Sequence, residues 1–163
     1  MATLIELSAH ILHKLDPLLD EGEREVRTIY ASDRFRDWVE KTLPGLGSSW
    51  NIELTPEEQF DALACVFCSG AVLTFKWQFR PIRHIADGIW ELKTADLRVF
   101  GWFPRQDCFI AVVADTTERV KRHRLYHGYA GTVARYRDAL ELDEPKFVAG
   151  DDPNAVVSNY SYP

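Results

Sequence analysis

The middle of the chain carries residue types suited to binding phosphate groups. Residues 76–137 contain 12 Lys and Arg against 6 Asp and Glu, although the whole chain has a net charge of −6. Arginine matches phosphate oxygens with its rigid fork of donors. His84, His123 and His127 add a residue type that exchanges protons near neutral pH. The segment therefore predicts either an anion-binding face or a solvated run of charges without function.

Arg98 is the most informative of these cations because it lies inside an apolar strand pattern at residues 97–103. An arginine buried without a partner is expensive in free energy. We therefore expect Arg98 either to form a structural pair with Glu91 or to face a bound anion. Trp90 and Trp102 lie in the same predicted strands, and we expect them to fill the core rather than to stack on nucleotides.

Cysteines and histidines elsewhere in the chain do not have the spacing of a metal or redox site. Cys65 and Cys68 form a CxxC in a predicted helix, but no second cysteine or histidine pair stands at zinc-site spacing. Their apolar neighbours favour buried thiols over a redox or metal role. His10 and His13 lie one helical turn apart, but no third ligand follows as in an HExxH motif. The sequence therefore predicts neither a metal ion nor another cofactor.

The composition restricts the class of protein. A chain of 163 residues that is 46% hydrophobic and 12% aromatic can bury a core, which excludes disorder as its main state. Three cysteines are too few for a disulfide scaffold and favour a reducing compartment. The chain begins without the basic segment of a signal peptide, and no apolar run approaches the roughly 20 residues that span a bilayer. We therefore expect a soluble, cytoplasmic protein without a membrane segment.

Helical patterns dominate the first half of the chain. Residues 3–20 have apolar positions at helical spacing and predict an amphipathic helix. A short strand at residues 26–31 follows, and Ser32 or Asp33 then caps a second helix. At residues 55–58, Thr-Pro-Glu-Glu forms a capping box with proline at the first helical position, so a third helix begins there.

The second half changes to strands. Three runs rich in aromatic and β-branched residues, at Ile89–Lys93, 97–103 and 109–114, are separated by short turn segments and predict an antiparallel meander. A helix is predicted through residues 132–140. From Asp143 onward, glycine and proline residues predict an irregular tail that is partly docked. The whole pattern indicates an α+β fold.

The strand sequences resemble a known family. Residues 88–93, Gly-Ile-Trp-Glu-Leu-Lys, and residues 97–100, Leu-Arg-Val-Phe, are similar to the "LWELR…YRVLYF" strands of the RelE/HigB superfamily of bacterial and phage toxins. The resemblance covers roughly residues 26–140. It implies a RelE-like fold of the phage-derived HigB type, in which two helices from the N-terminal half pack on a small antiparallel sheet with a concave basic face.

The resemblance also implies boundaries along the chain. Residues 26–142 correspond to the RelE-like domain. Residues 1–25 form an additional N-terminal helical extension, and residues 143–163 form an acidic C-terminal tail. The tail contains most of the acidic residues beyond position 137, and we expect it to lie against the cationic face and to weaken RNA binding.

The activity that the resemblance implies is that of a toxin from a toxin–antitoxin system, an endoribonuclease that cuts ribosome-bound messenger RNA without a metal ion. Such cleavage needs a base for the 2′-hydroxyl proton, cations for the phosphorane and an acid for the departing 5′-oxygen. Position by position, the resemblance places Arg98 and Arg119 on the phosphate with Lys93 assisting, and Tyr126 at an aromatic that transfers protons or stacks on a base. His123 is the alternative for proton transfer, because histidine exchanges protons near neutral pH. The remaining cations of the segment would bind RNA or form a solvated helix face: Lys121, Arg122 and Arg124.

Other members of the superfamily act differently, which leaves two alternatives. The chain could be a non-catalytic RelE-fold protein that binds a protein partner such as gyrase, a function that suits its acidic net charge. It could also be a phage structural or accessory protein with the same fold. The toxin interpretation further implies a cognate antitoxin, often a helix-turn-helix repressor, as a partner.

Overall fold

The computed structural model describes residues 1–83 and 85–163, so His84 lies outside the described residues. Within these residues the chain forms six α-helices and eight short or medium strands. The strands are β1 His13–Lys14, β2 Thr28–Ala31, β3 Leu73–Thr74, β4 Phe79–Ile82, β5 Ile89–Lys93, β6 Leu97–Arg105, β7 Cys108–Thr116 and β8 Tyr160–Ser161. The helices are α1 Leu4–Leu7, α2 Asp33–Lys41, α3 Pro56–Ser69, α4 Thr117–Arg122, α5 Tyr126–Ala139 and α6 Pro153–Val156.

A mixed sheet of six strands in the order β1-β2-β7-β6-β5-β4 forms the centre of the protein. The α+β class is therefore confirmed, but the expectation of a small, purely antiparallel sheet is wrong. β2 pairs parallel with β7, with Thr28 opposite Cys108. A parallel pair needs a long crossover connection, and the long segment between these two strands supplies it. The predicted meander of β5, β6 and β7 is antiparallel as expected.

Helices cover both faces of this sheet. Phe35 of α2 and Phe67 of α3 pack with Trp90 on one face, whereas Val133 of α5 packs with Phe100 on the other. The two faces separate because successive side chains of a strand point in opposite directions. Trp90 and Trp102 are both fully buried, as predicted. Most of the candidate site residues lie on the strands between these two helical layers.

Local capping signals identified two helix starts correctly. The Thr55 side chain accepts a hydrogen bond from the Glu58 nitrogen and Glu58 bonds back to Thr55, which completes the capping box of α3. Gly70 ends this helix in a left-handed conformation, with a φ of 80° that glycine adopts without a steric penalty. Ser32, rather than Asp33, caps α2.

The helix predicted at residues 3–20 is wrong for most of its length. α1 is only one turn long, and the chain then forms β1, in which His13 pairs with Ala31 of β2. The helical period would have placed Ile11 on the buried face, but its side chain is 37% exposed while Leu12 is fully buried. Pairing with the edge of the sheet therefore outweighs the local helical preference. The N-terminal extension is mostly non-helical.

The tail beyond position 143 is more ordered than predicted. α6 is capped by Asp152, and β8 pairs parallel with β3. Val156 and Val157 are buried in the core, which confirms the expected docking. The tail is therefore part of the folded domain. No helix in the described part of the chain is long and apolar enough to cross a membrane.

Candidate functional site

Three strands bring charged side chains together at one corner of the sheet. Arg80 of β4 lies opposite Glu91 of β5, and Lys93 of β5 lies opposite Arg98 of β6. The two β5 residues are two positions apart and therefore share a face. Tyr126, the first residue of α5, contacts this group from the adjacent helix. We call Arg80, Lys93, Arg98 and Tyr126 the cation cluster.

Arg98 donates hydrogen bonds to backbone carbonyl and side-chain hydroxyl oxygens and to no carboxylate among the described residues. Its Nη1 donates to the carbonyl oxygens of Thr94 at 2.7 Å and Leu97 at 2.9 Å, and to the Thr117 hydroxyl at 2.9 Å. Its Nε donates to the Tyr126 hydroxyl at 3.1 Å. Among the described residues no carboxylate forms an ion pair with Arg98, so the structural pair with Glu91 is not formed. A buried guanidinium with its charge unneutralised is prepared for an anion.

Glu91 is paired with Arg80 instead. Its side chain is fully buried, Oε1 accepts a hydrogen bond from Arg80 Nε, and Oε2 has no partner within the described residues. Burial raises the pKa of Glu91, while the Arg80 guanidinium opposes that shift. The Arg80 guanidinium also lies 5.4 Å from the centre of the Tyr126 ring. The carboxylate therefore positions Arg80 inside the cation cluster.

Arg80 is a candidate functional residue that the sequence analysis missed. It lies in β4, a strand of only four residues that contains Pro81 and was not predicted. The flanking residues Phe79 and Pro81 give only a weak signal for a strand, because proline argues against one. The place of Arg80 beside Glu91 depends on the register between β4 and β5, which neighbouring residues do not encode.

The pKa of Lys93 is lowered to about 8. Burial of the side chain is the largest cause, and the positive charges of Arg98 and Arg80 follow. Its Nζ donates to the carbonyl oxygen of Lys76 at 2.9 Å. A lysine with such a pKa exchanges its proton in the range where enzymes use general bases. Lys121 of α4 contributes to the same lowering, which places its charge near the cluster.

Replacing Lys93 by methionine is expected to stabilise the fold at neutral pH. The charged form of Lys93 is disfavoured in the fold, so its cost is complete below the folded pKa of about 8 and disappears as pH rises past the ordinary value of 10.5. Partial solvent exposure reduces the gain to about 1 kcal/mol. Thermal unfolding should show a Tm about 2–4 °C higher at pH 7, with a smaller gain at pH 9.5.

The control for Lys93→Met is Lys41→Met, which removes an exposed lysine of α2 whose nearest carboxylate, on Asp37, is 4.0 Å away. We expect no change in Tm for this variant beyond about 1 °C. A Tm of Lys93→Met at pH 7 that is equal to or lower than the wild-type value would show that the charged form of Lys93 does not destabilise the fold.

The structure brings together some of the predicted site residues. Lys93, Arg98 and Tyr126 belong to one cluster, as described above. Lys121 and Arg124 line a neighbouring cavity of about 360 Å³ together with Tyr126 and His127. Among the described histidines, His127 rather than His123 lines a cavity together with Tyr126 of the cluster.

The other predicted residues lie apart from the cluster. Arg119 forms an ion pair with Asp115 at 3.2 Å, and Asp115 also accepts a hydrogen bond from the Tyr129 hydroxyl at 2.6 Å. Arg122 pairs with Glu118 at 3.4 Å, and the exposed His123 ends α4. In the described residues none of Arg119, Arg122 and His123 contacts Lys93 or Arg98. Arg80, rather than the expected Arg119, supplies the second guanidinium of the cation cluster.

Two further cavities adjoin the cation cluster. One of about 510 Å³ is lined by Trp77, Lys93, Thr94 and Arg98 among others. The other, of about 480 Å³, is lined by Arg80, Arg83 and Tyr126 with apolar neighbours. Arg98 lines the first cavity and donates to Tyr126 of the second, so the cluster lies between two spaces that open to solvent.

The cysteines do not contribute to this site. Cys65, Cys68 and Cys108 are free thiols. Burial raises the pKa of Cys68 to about 12, so this thiol is not a nucleophile at neutral pH. Cys65 is only half-buried, and its Sγ donates to the Leu18 carbonyl at 2.7 Å. Within the described part of the chain, no group of three or more His, Cys, Asp or Glu side chains could hold a metal ion.

The fold and the site define an α+β protein with a guanidinium-rich corner suited to binding an anion. Comparison of the chain with known protein families, with curated proteins and with solved structures finds no match.

Proposed function

We propose that this protein is a RelE/HigB-like toxin that cleaves messenger RNA at the cation cluster without a metal ion. The observation that carries the proposal is Arg98, a buried guanidinium fixed by four oxygen atoms and left without a carboxylate, beside Lys93. Such a group binds a phosphate without rearranging, which is the property that stabilises a transition state. The RelE-like arrangement of the sheet and helices is part of the same proposal.

The reaction is an attack of the RNA 2′-oxygen on the adjacent phosphorus. Neutral Lys93 takes the 2′-hydroxyl proton, the new P–O2′ bond forms, and the P–O5′ bond breaks. Tyr126 gives its hydroxyl proton to the departing 5′-oxygen and regains one from solvent, and Lys93 releases the proton it took to solvent. Arg98 and Arg80 stabilise the charge on the phosphorane. The products are a 2′,3′-cyclic phosphate and a 5′-hydroxyl.

The partners are those that the resemblance to the RelE/HigB superfamily implies. The substrate is single-stranded messenger RNA, presented on the ribosome, and a cognate antitoxin silences the toxin by covering the cluster. The acidic tail contacts the basic face at its margin, where Asp151 pairs with Arg83 at 2.7 Å. Arg83 lines the same cavity as Arg80 and Tyr126. The tail therefore lowers the positive charge at the rim, and among the described residues no carboxylate of the tail forms an ion pair with Lys93 or Arg98.

The purified protein should cut RNA in the presence of EDTA. Mapping of the ends should give 2′,3′-cyclic phosphates and 5′-hydroxyls, and a deoxynucleotide at the cleavage position should abolish the cut. Because Lys93 acts in its neutral form, the rate should rise about tenfold per pH unit below the pKa of about 8 and level off above it. RNA that stays intact both free and on ribosomes would overturn the proposal.

A second function is favoured by exposed apolar side chains. Ile52, Leu54 and Trp77 are 38%, 45% and 67% exposed and line the same cavity, a pattern that marks binding surfaces. A non-catalytic protein that binds gyrase or another host protein would use such a surface. Growth arrest with intact RNA, together with recovery of one host protein on the wild-type chain only, would support this function over cleavage.

A further inference from the structure

Trp77 is an exposed tryptophan on a rigid turn. The turn between β3 and β4 is held by hydrogen bonds from the Gln78 nitrogen to the Thr74 carbonyl at 2.9 Å and from the Lys93 nitrogen to the Gln78 carbonyl at 2.8 Å. The Gln78 side-chain oxygen accepts from the Thr74 nitrogen at 2.7 Å. With 67% of its surface exposed, the indole contributes little to the core. A large apolar ring presented in this way is typical of a binding residue.

The surroundings of Trp77 combine apolar and cationic groups. The indole lines the cavity of about 510 Å³ together with Ile52 and Leu54 and with Lys93 and Arg98 of the cation cluster. The Lys93 ammonium is joined directly to the turn, because it donates to the carbonyl oxygen of Lys76, the residue before Trp77. A ligand that fills this cavity must offer a flat apolar ring and a negative charge. A nucleotide has both.

We propose that the cavity beside Trp77 is a nucleobase subsite, in which an unpaired base of single-stranded RNA stacks on the indole while its phosphate meets Lys93 and Arg98. This inference rests on the proposed function and deepens it by naming how the substrate is held. Stacking on an aromatic side chain tolerates every base and requires the base to be unpaired. The subsite therefore selects single-stranded RNA over duplex RNA.

The test measures binding separately from cleavage. A fluorescein-labelled hexanucleotide of 2′-O-methyl adenosine cannot be cut, because its 2′-oxygen carries no proton. Anisotropy titration at low salt should show that Trp77→Ala weakens binding about tenfold, since one stacked base is lost. Trp77→Phe keeps an aromatic ring and should bind within about threefold of the wild type.

Trp50→Ala is the matched control. Trp50 is another exposed tryptophan, with 51% of its surface accessible, and it does not line the cavity. We expect its affinity to equal that of the wild type. A loss as large as that of Trp77→Ala would mean that any exposed tryptophan contributes through non-specific contact, which would overturn the proposal.

Hexanucleotides with one abasic position identify the stacked base. At one position, removal of the base should weaken wild-type binding but should not weaken Trp77→Ala further, because both changes remove the same contact. Full additivity at every position would overturn the subsite. So would the absence of wild-type binding, which would leave the indole to a protein partner.

These outcomes separate the subsite from the nuclease. Binding that depends on Trp77 without any RNA cleavage supports the subsite and overturns the proposed activity. Cleavage by the wild type with unchanged oligonucleotide binding by Trp77→Ala overturns the subsite and supports the activity.

Discussion

Replacing Arg98 by lysine should lower the rate of RNA cleavage about 100-fold or more. The guanidinium is fixed by Thr94, Leu97, Thr117 and Tyr126, which hold it in one orientation for the phosphate. A lysine keeps the positive charge but has a single ammonium on a flexible chain, so it cannot reproduce the planar fork. The measurement is single-turnover cleavage of the RNA substrate at pH 8 in EDTA.

Arg122→Lys is the control for this prediction because Arg122 is an exposed arginine of the same basic segment that pairs with Glu118. We expect its rate to stay within about threefold of the wild type, since a solvated ion pair contributes little. Circular dichroism and thermal unfolding of Arg98→Lys should show a folded protein. A folded Arg98→Lys protein that cleaves at the wild-type rate would show that this guanidinium does not hold the scissile phosphate.

The paired charges in the site give Arg80 and Arg98 different properties. Arg80 is neutralised by the buried Glu91 carboxylate and is about half exposed, whereas Arg98 is almost fully buried and has no carboxylate partner in the described residues. An incoming phosphate therefore gains more from Arg98, which has no ion-pair partner in the described residues and feels the Glu91 charge only from a longer distance. Because Glu91 neutralises Arg80, the Arg80–Glu91 pair adds a second guanidinium to the site without adding net positive charge. This division limits the repulsion among three cations at one corner of the sheet.

Features encoded by neighbouring residues could be predicted from the sequence. The capping box at Thr55 and the strand Ile89–Lys93 depend on local sequence signals, and the structure contains both. The failure at residues 3–20 has a different origin. There the apolar spacing fits a helix, but Leu12 and the pairing of His13 with Ala31 satisfy the chain better as an edge strand. That competition depends on contacts that are distant in sequence.

The same distinction applies to the site. Lys93, Arg98 and Tyr126 were predicted through the resemblance of two strands and a helix to the RelE/HigB family, and the structure brings them together. Arg80 could not be assigned, because its place beside Glu91 is set by the register between β4 and β5. Arg119 was expected at the phosphate, but it pairs with Asp115, which lies four residues before it near the end of β7. Long-range register therefore decides which arginines are available.

Arg27 is a buried arginine whose contacts contribute to the stability of the fold. Its side chain is fully buried, and the guanidinium donates to the carbonyl oxygens of Phe67, Ala71 and Asn159, each at 2.9 Å. It also pairs with Asp107 at 3.3 Å. The residue thus joins the end of α3 to the C-terminal segment before β8. Burial lowers the pKa of Arg27, and the Asp107 carboxylate opposes that effect.

Arg27→Met should reduce the free energy of unfolding by about 3–5 kcal/mol, because buried carbonyl groups and a carboxylate lose their partner at the same time. Methionine fills most of the volume, so the effect reports lost hydrogen bonds rather than a cavity. Urea unfolding followed by tryptophan fluorescence measures it. Arg24→Met removes an exposed arginine nearby and should change the free energy by less than about 0.5 kcal/mol.

Arg27→Lys tests the same contacts even when Arg27→Met fails to fold. Arg27→Lys keeps a positive charge near Asp107 but offers one ammonium where the guanidinium served three carbonyl oxygens. It should therefore unfold at a urea concentration between those of the wild type and Arg27→Met. Should both variants unfold within about 1 kcal/mol of the wild type, the guanidinium would not hold α3 to the C-terminal segment.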